Sequence, residues 1–201
     1  MAHNDYRKVM RLDPGDEKRE LLAEKGIFFL DEIDENNAYV IFLEVIYLHL
    51  INFNSPIWII LNSPGGDAAS GLAIIDTIRA LVKKGRVVNI LGVGEVASMA
   101  TAVMQAATKR YCLPNTQFLV HQVRQTLPFF KQEEVNEGRE RVAEMDRIND
   151  IVMGIIAHRS GIELDEIKKL SDKKDYWMDA SKALKFGTHG LIDEVITELP
   201  F

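Results

Sequence analysis

From Gly26 onward, short β-branched and apolar runs alternate with stretches in which apolar positions recur every three or four residues. The first pattern marks strands and the second helices; their alternation predicts an α/β fold, a mostly parallel sheet flanked by helices. Gly26 to Leu30 reads as the first strand. Asn37 to Asn52 reads as a helix with Val40, Leu43, Ile46, Tyr47 and Leu50 along its apolar side. Ile57 to Leu61, apolar at every position, is a strand closed by the turn Asn62-Ser63-Pro64-Gly65-Gly66. A helix follows from Asp67 to Lys84, turning Leu72, Ile75, Ile78 and Leu81 inward. Arg86 to Val93 is the next strand, Ala97 to Ala107 a helix of small residues, and Gln117 to Val120 a short strand ending at His121.

The pattern then changes to one long helix, Gln132 to His158, on which Val135, Val142, Met145, Ile148, Val152 and Ile155 share a side. At 1.5 Å per residue it spans about 40 Å, more than a single small core can cover, so it is expected to project or to meet another subunit. Two shorter helices and a last strand, Leu191 to Ile196, complete the chain. The organisation expected is an N-terminal arm or short leading helix over residues 1–24 and one domain over residues 25–201.

Composition narrows the function. The 201 residues carry a net charge of −6, which argues against nucleic acid or an anionic membrane as the main partner. Cys112 is the single cysteine, so no intrachain disulfide and no thiolate metal cluster can form. Residues 1–12 contain no apolar core of a signal peptide. The most hydrophobic stretch, Ala38 to Phe53, includes Glu44, His49 and Asn52 and is shorter than the roughly 20 apolar residues a bilayer span needs. It reads as a buried core helix, and the protein as a cytoplasmic one.

Ligands of open α/β sheets gather beyond the carboxyl ends of the strands, and three segments there carry useful groups. Pro64-Gly65-Gly66 lets backbone N–H groups approach a ligand closely, although the same tripeptide also serves as a plain turn. Ser98, at the start of a helix, sits beside free N–H groups; it is either a helix cap or a nucleophile. His121 ends a strand, as a structural histidine or as a base. None of these is decisive alone.

Together they are. Asn62-Ser63-Pro64-Gly65-Gly66, Ala97-Ser98-Met99, Leu113-Pro114-Asn115, His121-Gln122, Asp175-Tyr176-Trp177-Met178 with Ala180, and Gly190-Leu191-Ile192-Asp193 resemble, in order and spacing, the proteolytic subunit of the Clp protease. The resemblance spans about Lys25 to Thr197. It implies a serine endopeptidase without cofactor or metal, with Ser98 as nucleophile, His121 as general base and Asp175 as the orienting carboxylate. The N–H groups of Gly66 and Met99 would form the oxyanion hole. It also implies a crotonase-like spiral of ββα units with a projecting handle helix, here Gln132 to His158. Heptameric rings or double rings would enclose the sites, and an AAA+ unfoldase would deliver unfolded polypeptides. An open Trp58, with Ile60, would mark the unfoldase-docking patch.

The chain departs from the family where Val123 stands in place of the usual proline, and where Arg124-Gln125-Thr126-Leu127-Pro128-Phe129-Phe130 replaces a glycine-rich strand that holds substrate. Tyr176 stands where an arginine making ring–ring contacts is common. Weaker pairing of rings is expected in consequence. Two other readings remain: a catalytically silent ring subunit, and an acyl-CoA-binding enzyme of the crotonase type, which shares the oxyanion logic but needs no Ser-His-Asp set.

Overall fold

Three parallel strands form the spine of the protein: β1 (Ile27–Ile33), β2 (Ile57–Gly66) and β3 (Val88–Ala97). The computed structural model describes residues 16–51, 54–124, 134–172 and 174–201. The free edge of β3 is shared. Its first half pairs with β4 (Lys109–Cys112) and its second half with β5 (Gln117–Val120), both parallel. β6 (Tyr176–Asp179) adds antiparallel to β5, and β7 (Glu194–Val195) adds parallel to β4. The sheet therefore forks along β3, and the branch that carries β5 and β6 leaves near Gly94.

Alternation along the strands separates two apolar faces. Phe28, Leu30, Ile57, Ile59, Val88 and Ile90 face the main core. There they meet α2 (Glu35–Ile51), α3 (Ala68–Lys83), α4 (Met99–Met104) and the second half of α5 (Val135–Ser160). Ile27, Trp58 and Leu91 form a smaller cluster on the other face, with Tyr111, Ile196 and Leu22 of α1 (Asp16–Glu24) against it. Two further helices, α6 (Leu164–Leu170) and α7 (Ala180–Leu184), lie before and after β6.

The strands run further than their apolar cores. β2 continues through Pro64-Gly65-Gly66, where a turn was expected, because the ladder absorbs a bulge: Leu61 and Gly65 stand against Leu30 and Glu32. β3 likewise runs to Ala97, with a matching irregularity between Gly92 and Val96, so α4 begins only at Met99. β4 and β6 carry too little apolar periodicity to be read as strands; pairing with β3 and β5 makes them so. β7 is shorter than expected.

α2 buries the opposite face to the one expected. Ala38, Ile41, Val45 and Leu48 enter the core, whereas Val40, Leu43 and Leu50 are exposed, Leu50 by 76%. The helix is apolar all round, so periodicity could not choose between its faces. α5 starts inside the expected range and runs two residues past its expected end at His158, residues 132–133 lying outside those described. Its 26 residues extend about 39 Å, with Val135 and Val142 exposed and Val152, Ile155 and Ile156 buried. The expected open Trp58 is also corrected: it is 7% exposed. Tyr111 lies over it at 5.5 Å between ring centroids and the C-terminal Phe201 at 5.8 Å, edge-on. No helix among the described residues is long and apolar enough to cross a membrane.

Candidate active site

The fork in the sheet assembles the site. Ala97 pairs with Leu119, so the residues just beyond, Ser98 and Val120-His121, emerge side by side at the carboxyl ends of β3 and β5. Val120 pairs with Tyr176 across the antiparallel ladder, so Asp175 is delivered next to His121. Residues 23 and 54 positions apart in sequence thus meet through two strand registers.

Ser98 occupies a tight strand-to-helix corner. Among the described residues it is the one non-glycine at positive φ, 55°, a conformation that costs about 1–3 kcal/mol. Its side chain caps nothing, although it stands at the N-cap position of α4. The corner is held by other groups. The Ser98 N–H donates to the Leu119 carbonyl (3.0 Å), and the buried Thr101 hydroxyl lies 2.9 Å from the carbonyl oxygens of both Val96 and Leu119. Nothing in the sequence marks Thr101, since a threonine in a helix carries no distinguishing signal.

Gly65 and Gly66 explain why the turn-like tripeptide cannot carry side chains. A Cβ on Gly65, at φ +100°, would fall 2.7 Å from Ser98 Cβ, and one on Gly66, at φ +146°, 2.1 Å from the Ile33 carbonyl oxygen. The end of β2 is thereby pressed against the Ser98 corner. Met99 is held from behind, its side chain filling the space where Gly71 of α3 lacks a Cβ.

Gly66, Ser98, Met99 and His121 line one cavity of 360 Å³, together with Val123, Arg124, Asp67 and Ala68. Arg141, Glu144, Met145, Ile148, Val152 and Ile156 of α5 close its far side. Asp175 is absent from the lining. Its carboxylate accepts from the Arg124 guanidinium, and Arg124 itself reaches the cavity.

His121 is half-buried, and its Nδ1 lies 2.7 Å from the Gln122 carbonyl oxygen. A carbonyl can only accept, so Nδ1 carries the proton and Nε2 is left with its lone pair. Burial and then the Arg124 charge lower the His121 pKa; the Gln122 carbonyl and the Asp175 charge oppose them and do not prevail. The ring is accordingly neutral near pH 7. Among the described residues no hydrogen bond joins His121 to Asp175 or to Ser98. The arrangement offers a hydroxyl, a neutral imidazole, a nearby carboxylate and the first amides of α4, which lack helical partners. That set can transfer an acyl group. Arg124 and the Gln122 carbonyl are the participants that sequence alone did not single out. Residues 125–130, part of the segment expected to replace a glycine-rich strand, lie outside those described. Among the described residues no cluster of His, Cys, Asp and Glu could hold a metal.

The family model described as Clp protease matches residues 14–199. The chain is 31% identical to the ATP-dependent Clp protease proteolytic subunit 2 of Treponema pallidum (strain Nichols), over 95% of this chain and 99% of that relative.

Proposed function

Because this chain belongs to the Clp protease family, we propose that it is a serine endopeptidase in which Ser98 is the nucleophile, His121 the general base and Asp175 its carboxylate partner. The observation that carries the reading is the double register that gathers these three residues at one end of the sheet. Ser98 Oγ attacks the peptide carbonyl carbon while His121 Nε2 takes its proton. The oxygen that gains negative charge points to the N–H groups of Gly66 and Met99. The imidazolium then gives its proton to the departing amine, and water repeats the sequence to free the acyl group. No cofactor takes part.

The natural substrates in this reading are unfolded polypeptides, delivered by an ATP-dependent unfoldase to a chamber of subunit rings in the cytoplasm. Three features support assembly. The exposed apolar face of α2 needs a cover, the 26 residues of α5 outrun the core, and the relative's name describes it as a subunit. In the proposed fold α5 is the handle helix of a crotonase-like spiral. A second reading, a catalytically silent ring subunit, draws on the pairing of Asp175 with Arg124 rather than with His121.

A fluorophosphonate probe separates the two. The peptidase reading expects covalent labelling at Ser98, none in Ser98→Ala, and loss of peptide hydrolysis in that variant with fold and assembly kept. Failure of the wild-type chain to label, as rings or with its partner subunits, overturns it.

A further inference from the structure

Arg124 stands where sheet and cavity meet, and its guanidinium is 65% exposed while holding Asp175. We propose that Arg124 is a positioning residue that withholds the Asp175 carboxylate from His121 and releases it when a carboxylate of the bound peptide takes the guanidinium. This rests on the peptidase reading above and adds to it a substrate class, peptides bearing a carboxylate near the scissile bond.

Three observations meet here. The register that pairs Val120 with Tyr176 makes His121 and Asp175 next neighbours, yet the carboxylate is engaged by Arg124. The His121 Nδ1 proton goes to the Gln122 carbonyl instead. Arg124 also lines the cavity that holds Ser98, so a ligand there can reach it. An exposed ion pair of this kind is weak, so an incoming anion can displace it. Once Arg124 turns to the ligand, Asp175 is free to accept from Nδ1 and to stabilise the imidazolium that forms as Ser98 loses its proton. The guanidinium charge that opposes that imidazolium is neutralised at the same time. The other charges on the cavity are Asp67 before α3 and Arg141 and Glu144 on α5, and Glu144 is tied to Arg147. Arg124 is distinguished from them by its bond to Asp175.

The test compares wild type, Arg124→Gln and Arg124→Lys by two independent readouts. The first is NMR titration of the His121 ring, assigned by its loss in His121→Gln. In Arg124→Gln the ring should titrate at higher pH than in wild type, and Arg124→Lys should restore the wild-type position. Acetyl-glutamate amide, carrying a side-chain carboxylate, and acetyl-alanine, carrying a main-chain carboxylate, should each be tried on wild type. A rise with either supports release and identifies the kind of carboxylate. A rise with neither overturns release by peptide carboxylates.

The second readout is the pH–rate profile on a neutral amidated peptide. Arg124→Gln should raise kcat by about fivefold at the plateau, the scale of one exposed ion pair, and move the acid limb upward. A merely structural role would lower the plateau and leave the limb in place. An unmoved His121 titration in Arg124→Gln overturns the proposal whatever the activity. A moved titration in a chain that neither labels nor hydrolyses overturns the peptidase reading instead.

Discussion

The Cβ that Gly65 lacks would lie 2.7 Å from the Cβ of Ser98. The close approach of β2 to the strand-to-helix corner thus exists only because residue 65 has no side chain. Gly65→Ala must displace Ser98, since the other atoms within 3.0 Å are backbone, the Ala97 oxygen and the Met99 nitrogen. A displacement near 1 Å costs about 100-fold in rate. The expected result is a fall of that order in kcat/KM, with the circular dichroism spectrum retained. Activity within threefold of wild type would mean that the approach does not position the nucleophile.

The pH dependence follows from the neutral His121. The base works unprotonated, and its pKa is lowered by burial and by Arg124. Activity should therefore persist below the ordinary histidine range and fall only as pH drops through the lowered value. A profile of kcat/KM for a peptide without ionisable groups checks this. A profile that stays flat down to about pH 4, more than two units below an ordinary histidine, would exclude His121 as the base.

Outside the lining of the Ser98 cavity, Arg110 and Asp193 tie β4 to the C-terminal segment. Arg110 is 2% exposed and donates through Nη2 to Asp193 Oδ1 at 2.5 Å, with further bonds to Gln105 and to the Gly190 and His189 carbonyls. Burial by itself would raise the Asp193 carboxyl, but the Arg110 hydrogen bonds and the charges of Arg110 and Arg159 outweigh it and hold the pKa below the usual value. A carboxylate with a lowered folded pKa adds stability above its unfolded pKa and loses it as pH falls through the folded one. Asp193→Ala should cost about 3–5 kcal/mol in urea unfolding at pH 7, because it strands a buried guanidinium. The variant should also show a flatter decline of stability in acid. A loss below about 1 kcal/mol would rank the pair with ordinary surface pairs.

The exposed face of α2 should be a subunit contact. Leu43→Lys with Leu50→Lys alters two exposed positions, where substitutions usually change stability by no more than about 0.5 kcal/mol. Sedimentation velocity should show a smaller species than wild type at equal concentration, with unchanged helix content. An unchanged distribution would place the contact elsewhere.

Cys112 should be silent to thiol reagents in the folded protein. Burial pushes its thiol up to about 12, so almost no thiolate is present at neutral pH, and the side chain is enclosed. Alkylation should proceed only with unfolding, read by mass spectrometry across a urea series. Rapid labelling without denaturant would contradict the packing at β4.

The linear pattern of residues determined the α/β class, the central strands and α3. It also put forward Gly65, Gly66, Ser98 and His121 as candidates, and the resemblance carried by its short motifs added Asp175 and Met99, because strand cores, helix periodicity and short motifs are local properties. Tertiary structure decided what depends on a neighbour. The buried side of α2 was settled by which face met β1 and α3, since its own apolar residues point everywhere. β4 and β6 became strands because β3 and β5 offered them edges. Trp58 was closed by Phe201, which lies 143 residues further along the chain. At the site, the family resemblance implied Asp175 as the partner of His121, but the bond it makes was decided by Arg124, a residue close to both in space. A carboxylate selects its partner by distance and charge in three dimensions, and no periodicity along the chain records that choice.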